Sequence, residues 1–198
     1  MYDETNVTDD PGDKAVIVRR TDKDPKKIFT SSKTATSLMF TGTAAGERLP
    51  VYVVYKSKEL HEQWTENGPP GTRYNRSKSG WFDSNIFEDW FKTVILTWAK
   101  NLEGPKVVIG DNVSSHFNSN VLELCRKHNI RFVCLPANST HFLQPLDVAF
   151  FGPLKIAWKK ILTAWKEISK NRTLTLPKSE FPDLLKRLMD EIQGKLSC

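Results

Sequence analysis

Apolar residues recur at two different periods along this 198-residue chain, and the change of period divides it. Up to residue 56 the pattern is that of strands: "KAVIVRR" (14–20), "TSLMFTGTAA" (36–45) and "LPVYVVYK" (49–56). The last two meet at Gly46, which predicts an antiparallel hairpin. The charged, Pro-interrupted "TDKDPKK" and the turn-rich "NGPPGTRYNRSKSG" (67–80) read as surface loops. From residue 83 the period becomes helical, with Ile86, Phe87, Trp90, Phe91, Val94, Ile95 and Trp98 on one face. Asn85 and Glu88 have the spacing of a capping box, which sets the start near residue 84.

Further on, "KVVIGD" (106–111) and "IRFVCLP" (130–136) are short apolar runs that predict strands buried on both faces. The segment from about 119 to 128 predicts a helix with Val121, Leu122 and Cys125 inward. Strand, helix and strand make a right-handed parallel crossover. A long helical element runs from "QPLDV" to about residue 169 with a stripe of Leu154, Trp158, Ile161, Leu162 and Trp165, and Gly152-Pro153 is expected to kink or restart it. "SEFPDLLKRLMDEIQ" reads as a final amphipathic helix. An antiparallel three-stranded start followed by parallel strands with flanking helices is the order of a ribonuclease-H-like α/β fold.

Composition changes this picture little. At 39% hydrophobic and 26% charged residues, with no apolar run near the roughly 18 residues of a membrane helix, the chain reads as an intracellular globular domain without a secretory leader. Cys125, Cys134 and Cys198 lack the spacing of a disulfide framework or zinc site. The net charge of +6 suits a polyanionic partner without requiring one. Lys155, Lys159, Lys160, Lys166 and Lys170 flank the apolar stripe of the long helix. A solvated face is the plainer reading of them, and Lys155 and Lys159 as DNA contacts the sharper. Trp64, Tyr74 and Trp81 near the basic loop read as packing residues before base-stacking ones.

The candidate chemistry lies in carboxylates at element boundaries. Asp111 ends an apolar strand, where ligands of α/β sheets bind, although an Asx-turn onto Val113 or Ser114 explains it equally well. Asp147 follows Pro145 at the start of a helix, where the free amides favour a carboxylate. Asp3, beside Glu4, stands just before the first β segments. Three carboxylates converging on one sheet edge would repel one another unless cations sat between them, and hard oxygen donors call for Mg²⁺ or Mn²⁺. Two such ions about 3.5–4 Å apart serve in-line phosphoryl displacement.

The stretches "YDET", "GDNVSSH" and "LPANSTHFLQPLDVAFFGPLK" together resemble the DDE superfamily endonuclease domain of pogo-like and Tigger-like transposases. These belong to the mariner superfamily, with relatives in jerky-like proteins and centromere protein B. The resemblance implies that Asp3, Asp111 and Asp147 are catalytic, each a ligand of two Mg²⁺ (or Mn²⁺) ions, in DNA strand cleavage and strand transfer. It places Asn112 and His116 close to the second carboxylate in a supporting role. His141 and Gln144 fall in the loop before the third, for which a hydrogen-bonded scaffold is favoured over a steering role. The implied partner is DNA, in the nucleus, with a homodimer left open and neither a membrane nor a small-molecule cofactor involved.

On this basis residues 1–170 form the catalytic domain and 171–198 its helical tail. The family's upstream helix-turn-helix is not in this sequence, and with two residues before Asp3 the first strand is expected to be truncated. Two competing readings follow: a domesticated relic that holds DNA or a protein partner and cuts nothing, and a ribonuclease-H-like nuclease unrelated to transposition.

Overall fold

The structure, a computed structural model, describes residues 1–10, 34–111, 118–136, 139–168 and 175–196. The expected strand at 14–20 lies outside the described residues. The first strand is instead β1 (Tyr2–Thr8), so Asp3 lies within a strand and not ahead of one. β1 pairs along all of its length, antiparallel to β2 (Ala35–Thr41), from Tyr2 opposite Thr41 to Thr8 opposite Ala35.

β2 turns into β3 (Tyr52–Lys56) as the expected hairpin, antiparallel, with Met39 opposite Tyr52. Gly46 takes φ +83° in the turn, a conformation that a side chain would strain, and its N–H donates to the Thr43 carbonyl at 3.1 Å. The reading of 67–80 as loop fails in the middle, because Arg73–Ser77 is a strand, β4, parallel to β3. Turn residues on both sides concealed it, and tertiary contacts hold it. Tyr74 stacks on Tyr55 at 6.1 Å, and Asn75 donates to the Tyr52 hydroxyl at 2.8 Å while that hydroxyl donates to Asp89.

α1 (Ser84–Trp90) runs through a π-helical turn (Phe91–Ile95) into α2 (Leu96–Ala99). Its cap differs from the expected box: Asp83 is the N-cap, accepting from the N–H groups of Asn85 and Ile86 at 3.1 and 3.0 Å. Glu88 is drawn outward instead, to Lys92 and to the amides of Asn118 and Asn120.

β5 (Lys106–Gly110), α3 (Ser119–Lys127) and β6 (Ile130–Cys134) form the expected parallel crossover, with Val108 opposite Phe132. Burial on both faces does not hold for these strands. Val107 is 51% and Val133 45% exposed, because among the described residues the helices packed on this pair lie on the side of Val108 and Ile130. Leu122, expected inward, is 42% exposed for a similar reason: α3 turns Val121 and Cys125 to the core.

After α4 (Thr140–Leu143), a π-helical turn (Leu146–Phe150) leads without a break into α5 (Phe151–Ile168), and α6 (Phe181–Leu196) follows. Pro153 thus neither breaks nor restarts the helix. A proline ring crowds the carbonyl four residues before it, here Ala149, and the wider π turn at that point, closed by Phe151 N–H to the Leu146 carbonyl, accommodates it.

Alternation along the strands sorts the core into two halves. Met39, Tyr52 and Val54 join α1, α2, α3, β5 and β6 on one side of the sheet. Leu38, Phe40, Val53 and Tyr55 join α5 and α6 on the other, together with the stripe residues Leu154, Trp158, Leu162 and Trp165. The result is a mixed α/β fold with helices on both faces of a four-stranded sheet, β1-β2-β3-β4, and a separate β5-β6 pair.

The N-cap is open to direct measurement. Asp83→Ala should lower stability by about 1 kcal/mol in urea unfolding, whereas Asn85→Ala, which a capping box would make costly, should be close to neutral.

Candidate active site

β1 delivers Asp3 to the face of the sheet that α5 covers, since alternate residues point to opposite sides and Val7 lies in that core half. Asp111 stands one residue past β5. Asp147 is in the first turn of the π-helical segment and is exposed, as its helix-start sequence implies. The three come from the separate elements that the sequence suggested, and Asp3 feels the charge of the other two. Burial pushes the Asp3 carboxyl up to about 7, and repulsion from Asp147 and, less strongly, Asp111 adds to it.

Two groups hold the same carboxyl down. The side-chain amide of Gln144 lies nearby, and the backbone N–H of Glu4 donates to Oδ1 at 2.8 Å. Oδ2 of Asp3 is buried and has no well-formed hydrogen bond among the described residues. Gln144 is fully buried; its Nε2 donates to the Tyr2 carbonyl at 3.2 Å, and its Oε1 has no hydrogen-bond partner among the described residues. Gln144 therefore ties the approach to Asp147 onto β1. Its backbone carbonyl also accepts from Val148 at 3.0 Å, inside the same turn.

A hard cation fits the chemistry of this donor set, all carboxylate and amide oxygen, and would satisfy the orphaned Oδ2 of Asp3. The fit stops short of a finished cage, because among the described residues no group of three or more His, Cys, Asp or Glu could hold a metal ion as it stands.

Asn112 and His116, and the Asx-turn onto Val113 or Ser114, lie outside the described residues. The backbone of His141 is in α4. Lys155 and Lys159 are on the exposed side of α5, with the apolar stripe inward; Lys166 departs from the expected solvated face and is buried. Trp64 and Tyr74 pack against Tyr55 as expected of structural aromatics, and Trp81 is 51% exposed.

Two residues of the surroundings escaped the sequence reading. Tyr2 and Gly110 meet where β1 passes β5, and a glycine closing an apolar strand was the available signal, since it often marks close backbone approach.

The family model described as DDE superfamily endonuclease matches residues 32–184. The chain belongs to this family. Among individual proteins it is similar to two named pogo transposable element with KRAB domain. The human one is 24% identical over 163 residues and the mouse one 22% over 163 residues, in each case 80% of this chain and 24% of the relative. The kinship to pogo-like elements that the motifs implied is thus borne out. A Cochliobolus lunatus protein named MFS-type transporter clz9 is 30% identical over 142 residues, 71% of this chain. That match takes in 16% of the fungal protein, and no helix among the described residues of this chain is long and apolar enough to cross a membrane. The chain spans no more than 24% of the length of these relatives. No solved structure matches it.

The raised Asp3 carboxyl makes stability fall with pH. The unfolded chain releases this proton near 3.8 and the folded one near 7, so the folded state holds the extra proton between those values and stability declines across that window. Asp3→Asn should therefore raise the melting temperature above about pH 8 in the presence of a chelator and leave it unchanged below about pH 4. An equal gain at both ends of the range would mean that Asp3 is not strained by its surroundings.

Proposed function

We propose that this DDE-family chain is the catalytic part of a pogo-like transposase, with a ribonuclease-H-like fold, acting on DNA in the nucleus by metal-dependent strand cleavage and strand transfer. The catalytic domain covers residues 1–170, with 171–198 as its helical tail. One observation carries the reading: Asp3, Asp111 and Asp147, from three separate elements, lie close enough for the charges of the other two to raise the Asp3 carboxyl.

Asp3, Asp111 and Asp147 would hold two Mg²⁺ or Mn²⁺ ions. Such cations supply Lewis-acid polarisation of a phosphodiester and screening of its charge. The chain's own residues do the rest. The half-buried Asp3 presents a carboxyl oxygen with no well-formed hydrogen bond among the described residues, and that oxygen is the one assigned to an incoming cation. Gln144 holds the third carboxylate's turn against β1 and keeps Asp3 easier to ionise than burial alone would allow. The exposure of Asp147 leaves the cluster open on the side where a DNA backbone can approach. Asn112, His116 and His141 are assigned supporting roles around the second and third carboxylates. Lys155 and Lys159, exposed on α5, are assigned to phosphate contact.

Nicking of supercoiled plasmid by the whole chain with Mg²⁺ or Mn²⁺ tests the chemistry. Asp111→Asn and Asp147→Asn should each reduce nicking to background without lowering the melting temperature, and nicking that survives either change defeats the assignment. Isothermal titration should show Mn²⁺ binding that Asp3→Asn and Asp147→Asn weaken; a folded chain that takes up no Mn²⁺ would leave DNA holding as its role.

DNA affinity measured against salt tests the lysines. Lys155→Ala and Lys159→Ala should each reduce the slope of log affinity against log salt by about 1.

A further inference from the structure

Tyr2 reaches all three limbs of the carboxylate cluster without belonging to it. It precedes Asp3 on β1. Its ring lies over Gly110, the residue before Asp111. Its carbonyl accepts from Gln144, three residues ahead of Asp147.

The contact with Gly110 is close. A Cβ at position 110 would fall well inside contact distance of Cε1 and Cζ of the Tyr2 ring and 2.6 Å from its Oη. The ring cannot swing aside. It is 1% exposed, and Trp90, Phe87 and Phe132 surround it with centroids at 4.7, 5.5 and 5.9 Å.

β1 and β5 belong to separate hydrogen-bonded sheets. Among the described residues, no backbone ladder therefore dictates how far the strand bearing Asp3 stands from the strand leading to Asp111. Side-chain packing must do so, and a close-packed interior transmits a misplaced atom instead of absorbing it.

We propose that Tyr2 and Gly110 are a positioning pair: the ring seated on the glycine sets the separation of Asp3 from Asp111, and the Tyr2 carbonyl, through Gln144, sets the approach of Asp147. The assignment rests on the reading of those three carboxylates as the metal-holding set. Neither residue touches substrate; both act through their neighbours. A larger residue at 110 wedges the strands apart, and a smaller one at 2 lets them close or slide.

Four whole chains decide the matter: wild type, Gly110→Ala, Tyr2→Leu and the double variant. The first readout needs no metal. In crystal structures the Asp3 to Asp111 separation should change by more than about 0.5 Å, the slack a catalytic constellation tolerates, in each single variant. The second is Mn²⁺ affinity by isothermal titration, at a temperature where circular dichroism shows each chain folded. It should fall about 10- to 100-fold, as when groups behind metal ligands are changed.

The double variant should be more stable than Gly110→Ala alone, because the shorter side chain makes room for the methyl. A folded Gly110→Ala chain with the wild-type carboxylate separation, or with a lowered melting temperature and wild-type Mn²⁺ affinity, overturns the proposal. Should Gly110→Ala fail to fold, Tyr2→Leu, which removes the ring and adds no clash, answers the same question by the same two readouts. A wild-type chain that binds no Mn²⁺ overturns the metal-holding reading instead, and the carboxylate separation then decides the positioning pair by itself.

Discussion

Burial of the sheet on both faces governs where charge can go in this molecule. Leu38, Met39 and Phe40 on β2 and Tyr52 to Tyr55 on β3 are all buried, alternately under α1 to α3 and under α5 and α6. A carboxylate within that layer would carry a large desolvation cost. Asp3 sits near one end of β1, Asp111 just past the end of β5 and Asp147 in the first turn of a helix, so each lies at the edge of its element. The apolar sandwich and the charged edge are two results of one constraint.

This placement nevertheless extracts a cost from the fold. Asp3 is buried far enough that its proton is held to about pH 7, which destabilises the folded chain wherever the carboxyl must ionise. A site designed for stability would place an amide or an apolar side chain there. The same group becomes favourable when a cation takes up its negative charge. On the function proposed here, that cost is the counterpart of a carboxylate kept for a cation.

The connection between the two sheets is of a different nature from the rest. β1 to β4 are held in register by backbone hydrogen bonds, while β1 and β5 meet through an aromatic ring lying on a glycine. Backbone ladders fix spacing whatever the side chains are. Packing fixes it only as long as the shapes persist, which makes Tyr2 and Gly110 the sensitive point of an otherwise redundant framework.

Much of the architecture was legible along the chain because its signals are local. The helical period from Ile86 to Trp98, the stripe from Leu154 to Trp165, the hairpin at Gly46 and the crossover around α3 need only neighbours a few residues away, and each formed. Asp111 and Asp147 stood out along the chain as charges at the ends of apolar stretches, at places where a turn or a helix start also accommodates them. Tertiary structure decided what depends on distant partners. β4 forms amid turn residues because Tyr55 and Tyr52 receive it; Asp83 takes the cap while Glu88 is drawn to Asn118 and Asn120; β5 and β6 leave Val107 and Val133 exposed because, among the described residues, helices pack on the side of Val108 and Ile130. Above all, Asp3 became part of a strand paired with β2, more than thirty positions away, and came under the charges of Asp111 and Asp147, more than a hundred positions away, and no periodicity in a sequence records contacts of that length.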